Sequence, residues 1–181
     1  MLIAVLDADV LFPMILRDTL LRAAMAGLCR IHWTSRIQDE VERNLVGSYG
    51  MASEKAGGLR QAMESAFPDA MVEGWEDIEV EMPNHPKDRH VAAAAVTIAA
   101  PIIVTSNIKD FRDLSTGVTA MTPDTFLSRL LDDHGGVFID VLRKQAGGYR
   151  QEPKTLEALI THLASIAPVF GLKARQWIAA Q

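Results

Sequence analysis

The chain opens on five apolar residues, Leu2-Ile3-Ala4-Val5-Leu6, closed by an acid, Asp7. A run so short and so apolar reads as a strand buried on both faces, and such strands belong to parallel sheets covered by helices. The pattern then repeats. Residues 29–34 and 102–105 read as further buried strands, and residues 118–121 as a fourth. Helical spacing fills the intervals. One helix runs from a cap at Asp18 or Thr19 to Gly27, and a second passes through Ile37, Val41 and Leu45. A third covers residues 53–66, and a fourth covers 91–99 behind Pro86. Ser35-Arg36-Ile37-Gln38 has the form of a capping box with Ser35 as N-cap. Ile78-Glu79-Val80-Glu81 alternates like a short edge strand, and Thr122-Pro123-Asp124 opens a helix to Leu131. Strands alternating with helices predict an α/β fold, a parallel sheet flanked by helices.

After Asp133 the alternation stops. Gly135-Gly136 and Gly147-Gly148 set off a short segment, 137–144, and two helical stretches follow at 153–167 and 172–180. The expected organisation is a domain over 1–131 and a helical C-terminal extension over 132–181. The apolar faces of the extension (Leu156, Leu159, Ile160, Leu163; Leu172, Trp177, Ile178) must pack on the main domain, on a second copy or on another protein.

Three separated carboxylates are each aimed toward one end of such a sheet. Asp7 directly follows a buried strand, and strand C-termini form the ligand edge of open parallel sheets. Asp9 lies further past the strand end and ranks second to it. Glu40 competes with Asp39 and Glu42; Asp39 points nearly opposite the Ile37-Val41-Leu45 stripe, and Glu40 is closer to the helix start than Glu42. Asp88 falls at N3 if His85 is the N-cap, on the same face as Val91, Ala92 and Ala95. A polar run after the third strand brings Thr105, Asn107 and Asp110 toward the same spot. Asn107 can ligate but brings no charge; Asp110 supplies that charge if the turn folds back. Acids gathered this way repel one another unless cations neutralise them, which points to a hard-metal site of the kind that cleaves phosphodiesters.

Composition bounds this reading. The net charge of −5 argues against nucleic-acid binding through bulk electrostatics. The site acids are part of that count, however, and two bound divalent cations bring it to about −1. The single cysteine, Cys29, excludes an internal disulfide and reads as a buried core thiol. The N-terminal apolar run lacks a basic n-region and is broken by Asp7, so neither a signal peptide nor a membrane span is expected, and cytoplasm is the default. No GxxxxGK[ST], GxGxxG or GxSxG motif occurs. His32, His85, His90, His134 and His162 show no HxxxH spacing and read as ordinary surface or core imidazoles.

The segments AVLDADVL, SRIQDEVERNL, PKDRHVAAAA and IIVTSNIKDF, with TPDTFL closing the set, resemble the PIN-domain ribonucleases, particularly VapC-type toxins of toxin–antitoxin pairs. The resemblance covers roughly residues 1–131. It implies a Rossmann-like sheet, a Mg²⁺ or Mn²⁺ site, an RNA substrate, an antitoxin partner and a homodimer. Asp7, Glu40 and Asp88 match the family's first three acids. Thr105, Asn107, Asp110 and Phe111 look like the variant of its fourth motif that carries a later aspartate-phenylalanine pair, which leaves the number of metals open. The implied catalytic and metal-holding set is Asp7, Glu40, Asp88 and Asp110, supported by Asp9, Thr105 and Asn107. Arg17, Arg43, Arg89 and Lys109 lie near the motifs as candidate phosphate guides. Two other readings remain at this stage: a PIN-fold binding module with a weakened site, for which neutral Asn107 speaks, and a haloacid-dehalogenase-type phosphatase with Asp7 as nucleophile. The latter leaves Glu40 and Asp88 without a role.

Overall fold

The computed structural model describes residues 1–114, 117–149 and 154–181. Four strands, β1 (Leu2–Leu6), β2 (Cys29–His32), β3 (Ile102–Val104) and β4 (Thr119–Met121), form one parallel sheet in the order β2-β1-β3-β4. The α/β architecture with a helical C-terminal region is thus present. Ala4 pairs with Ile102 and Leu6 with Val104, so β1 and β3 end level. The chain steps from β1 to β2 and later returns past β1 to β3. That reversal between β1 and β3 marks where ligands bind in open parallel sheets, beyond the strand carboxyl ends. Asp7 and Thr105 are the residues that follow those two ends.

Helices α1 (Ala8–Leu11) and α2 (Met14–Met25) join β1 to β2, and α3 (Ser35–Tyr49), α4 (Ser53–Ala66), α5 (Glu76–Glu79) and α6 (Arg89–Thr97) join β2 to β3. The two crossovers run in opposite directions, and their right-handedness puts α2 and α6 on opposite faces of the sheet. Ala4, Val5, Leu6, Ile103 and Val104 are buried between them. Cys29 lies in this core, where burial pushes its thiol up to about 12.

Several local expectations shift. α2 starts at Met14 behind Pro13, upstream of Asp18 and Thr19. Those two polar residues bond within the helix: Asp18 pairs with Arg22, and the Thr19 hydroxyl donates to the Ile15 carbonyl at 2.9 Å. Thr34, not Ser35, caps α3, its hydroxyl accepting from the Ile37 N–H at 3.1 Å. The alternating residues near Ile78 form the single turn α5 rather than an edge strand. Alternation over four residues does not separate the two.

The C-terminal part comprises α7 (Pro123–Gly147), α8 (Leu156–Ala164) and α9 (Pro168–Ala179). Segment 137–144 is the second half of α7, which passes through 131/132 and bends at Gly135. A Cβ at Gly135 would lie 2.8 Å from Nε1 of Trp177, so the bend is where α9 seats its indole. Phe138, Ile139, Leu142, Leu159, Ile160, Leu163 and Phe170 are buried. Gln145 joins α7 to α2, its side chain donating to the Ile15 carbonyl at 3.2 Å and accepting from Thr19 at 3.0 Å. Asp124, in the first turn of α7, accepts from the Val169 and Phe170 N–H groups at 3.1 and 2.7 Å and so caps α9. The apolar face of α8 therefore packs inside the chain, whereas Leu172 of α9 stays exposed. No helix among the described residues is long and apolar enough to cross a membrane.

Candidate metal centre

Asp7 directly follows β1 and is the N-cap of α1. Its Oδ1 accepts from the Ala8 N–H at 2.7 Å and its Oδ2 from the Thr105 hydroxyl at 2.8 Å. Its own N–H donates to the Val104 carbonyl at 3.0 Å, which ties the ends of β1 and β3 together. Asp9, the second residue of α1, reaches the same point: Oδ2 accepts from the Ser106 N–H at 2.8 Å and lies 3.4 Å from the Thr105 hydroxyl. Thr105 thus stands between the two acids, and it is fully buried.

Asp88 enters from the 3-10 turn Pro86–Asp88 ahead of α6, with His85 as the N-cap, accepting from the Lys87 N–H. Asp110 sits on the 3-10 turn Ile108–Phe111 after β3. The His85 N–H donates to the Asp110 carbonyl at 3.2 Å, so the two turns are joined. The side-chain amide of Asn107 donates to Asp110 Oδ2, and its backbone N–H to the Thr105 hydroxyl at 3.1 Å. Asn107 therefore orients a charged neighbour.

The electrostatics bind these groups into one cluster. Burial, then the charge of Asp9 and more weakly that of Asp88, pushes Asp7 up to about 7, against the lowering effect of its hydrogen bonds. Burial likewise raises Asp9, with Asp88 adding to it, and burial followed by Asp110 raises Asp88. Asp9 Oδ1 and Asp88 Oδ2 are buried without a hydrogen-bond partner. Orphaned carboxylate oxygens beside mutually repelling acids are the donor set a hard divalent cation takes. The residues fit such an ion.

Glu40 belongs to a different contact. Its Oε1 lies 3.6 Å from Nε2 of His90, longer than a hydrogen bond. Burial alone would raise Glu40, but His90, with Arg36 and Arg43 behind it, holds its carboxyl below the ordinary value. His90 is fully buried against Trp75, and neither ring nitrogen has a hydrogen-bond partner. Of its rivals, Asp39 is engaged by Arg60 of α4, and Glu42 lies 3.7 Å from the same guanidinium. Glu40 alone among the three turns toward α6.

The histidines were the part of the site that spacing did not reveal. His85, Asp88 and Asp110 offer ligand atoms that all lie within 4.8 Å of one another. A search for paired histidines passes over this group; the usable signal was His85 three residues before an acid at a helix start. Arg17 is no phosphate guide. It is buried and donates to the Leu11 and Phe12 carbonyls at 2.7 and 3.0 Å, closing the end of α1. Arg89 donates to the Asn84 carbonyl at 3.3 Å.

A protein-family model described as the VapC50 C-terminal domain matches residues 123–176. A curated protein of Mycobacterium tuberculosis (strain ATCC 25618 / H37Rv), named "Putative ribonuclease VapC50", is 38% identical over 106 residues. That match covers 57% of this chain and 63% of that protein. No solved structure matches. The likeness to VapC-type ribonucleases is borne out, and the family-model match lies in the C-terminal helices, beyond the four acidic motifs.

Proposed function

We propose that this VapC-type chain is a divalent-metal-dependent endoribonuclease that hydrolyses RNA phosphodiester bonds at the carboxyl edge of its sheet. The observation that carries the reading is the cluster of Asp7, Asp9, Asp88 and Asp110 at the β1–β3 reversal, with buried carboxylate oxygens left unpaired. Asp7, Asp88 and Asp110 hold the cation, with Asp9 and Glu40 bordering it. A Mg²⁺ or Mn²⁺ ion held by those residues would supply acidification of the attacking water and neutralisation of charge on the phosphate. The Thr105 hydroxyl keeps Asp7 in one orientation, the Ser106 N–H fixes Asp9, and the Asn107 amide fixes Asp110. His90 lies 3.6 Å from Glu40 and favours its ionised form. Arg43 and Lys109 remain as candidate guides for the RNA backbone.

Residues 1–131 carry the chemistry in this reading, and residues 132–181 brace α2 through α7. The match beginning at residue 123 argues for a boundary nearer the start of α7. By the same likeness the chain works as a cytoplasmic toxin, a homodimer held in check by an antitoxin. The phosphatase alternative loses ground. Among the described residues no lysine lies within ion-pair reach of Asp7 or Asp9, so the cation that chemistry requires beside its nucleophile is lacking. The weakened-site alternative loses its main support once Asn107 is seen to orient Asp110. Cleavage of a single-stranded RNA in Mg²⁺ or Mn²⁺, abolished by EDTA and restored by excess cation, is the expected result. Cleavage unaffected by EDTA would sink the proposal, as would none in any divalent ion.

A further inference from the structure

The acid cluster has an outer end that differs chemically from its inner one. Around Asp7 and Asp9 every donor is a carboxylate or hydroxyl oxygen, whereas beside Asp88 and Asp110 there is an imidazole. His85 Nδ1 lies 4.0 Å from Asp88 Oδ2, and the candidate ligand atoms of His85, Asp88 and Asp110 lie within 4.8 Å of one another. Asp88 is only 8% exposed, and the oxygen facing His85 is the one left without a hydrogen-bond partner. A buried anionic oxygen aimed into a three-donor group calls for a positive partner. Lys87 is near enough to act on Asp88 electrostatically, yet it makes no ion pair with it. The His85 side chain is more than half exposed, so its ring can turn to a ligand without unpacking a core. Nδ1 is held only by a 3.4 Å contact from the Lys87 N–H, a weak bond to displace.

We propose that His85, Asp88 and Asp110 form a mixed nitrogen–oxygen cation position at the outer end of the cluster, one that favours a first-row transition ion such as Mn²⁺ over Mg²⁺. The inference rests on the reading that the cluster holds a divalent ion, and adds which donor sets its preference. Magnesium keeps to oxygen ligands and gives up its waters reluctantly, whereas transition ions accept imidazole. The neutral Asn107 then has a counterpart: an uncharged nitrogen ligand from His85 completes a position that Asp88 and Asp110 supply with charge.

The test uses the full chain, stripped of metal, without RNA. Pulsed electron paramagnetic resonance of the Mn²⁺-loaded protein reads nitrogen coupling, and calorimetric titration reads Mn²⁺ and Mg²⁺ affinity. The comparison variant is His85→Asn, which keeps a cap acceptor at the helix start and removes the imidazole. Nitrogen coupling is expected in the wild type and lost in the variant. Mn²⁺ affinity should fall about 10-fold or more and Mg²⁺ affinity by less than about 3-fold. A wild-type spectrum without nitrogen coupling overturns the inference. So does coupling that persists in His85→Asn, which would point to another imidazole. RNA cleavage is scored apart: cleavage without nitrogen coupling removes this inference and leaves the ribonuclease reading, while coupling without cleavage does the reverse.

Discussion

The carboxyl edge of the sheet and the C-terminal helices treat their polar groups in opposite ways. At the edge, Asp9 Oδ1, Asp88 Oδ2, both polar atoms of Asn84 and both ring nitrogens of His90 are buried without partners. In α7 to α9, Asp124 caps α9, Lys173 pairs with Asp132, Arg175 with Glu157, and Gln145 satisfies Thr19 and Ile15. Among the described residues from 123 onward only Ser128 Oγ is buried and unpaired. An unsatisfied buried polar group costs roughly 1–3 kcal/mol, more when charged. That contrast is what the proposed cation site would produce.

The sharpest way to break this contrast is to remove one acid. Asp7→Asn should lower RNA cleavage by about 10²-fold or more, as loss of a residue that supports transition-state charge does. It should leave the metal-free fold as stable as wild type or stabler. The asparagine oxygen can still accept from Ala8, its amide can donate to Thr105, and one repelling charge is gone. A variant with normal turnover would contradict the account, as would one that fails to fold.

Next in size is the difference between neighbours on α3. Glu40→Gln should weaken divalent-ion binding roughly 10-fold, whereas Glu42→Gln, whose carboxylate faces Arg60, should bind as wild type does. An equal or larger loss at Glu42 in calorimetric titration would reverse the assignment.

The C-terminal helices should respond in stability alone. A Cβ at Gly171 would fall 2.4 Å from the Ala164 Cβ and 3.1 Å from its Cα, so Gly171→Ala must push α8 and α9 apart. Overpacking of this kind costs typically 1–3 kcal/mol. Denaturant unfolding should register that loss while cation affinity stays unchanged; a matching loss of affinity would show the two regions to be coupled.

The smallest effect lies in pH. Asp7 is raised from 3.8 to about 7, so between those values the folded chain keeps a proton that the unfolded chain has released. Without metal, this group therefore makes the protein more stable as the pH falls from 7 toward 4, and less stable as it rises through the same window. Cation binding requires the ionised carboxylate and should weaken over that window on acidification. Thermal melting in EDTA that falls steadily from pH 7 to 5 would contradict the raised value.

Much of this was legible in the sequence because it depends on periodicity and on strand ends. Leu2 to Leu6 and residues 102–105 read as short buried strands, which put the residues at their carboxyl ends on one edge. Asp88 was placed by helix phase, and Glu40 was preferred over Glu42 because it lies nearer the helix start. What stayed hidden depends on contacts distant in sequence. Thr19 looks like a cap until Gln145 is placed beside it, and Gly135-Gly136 looks like a break until Trp177 fills the bend. His85 and His90 meet Asp110 and Glu40 only across the fold, which spacing along the chain does not show.

The claim that the open carboxylates are kept for a cation is tested most directly by thermal melting with and without one. At pH 7.5, wild type at about 100 times Kd in Mn²⁺ should gain about 2.7 kcal/mol, or roughly 5–10 °C over its melting point in EDTA. Asp7→Asn should melt at or above wild type in EDTA and gain only a small part of that increment. Equal shifts in the two proteins, or no shift in wild type, would contradict the account.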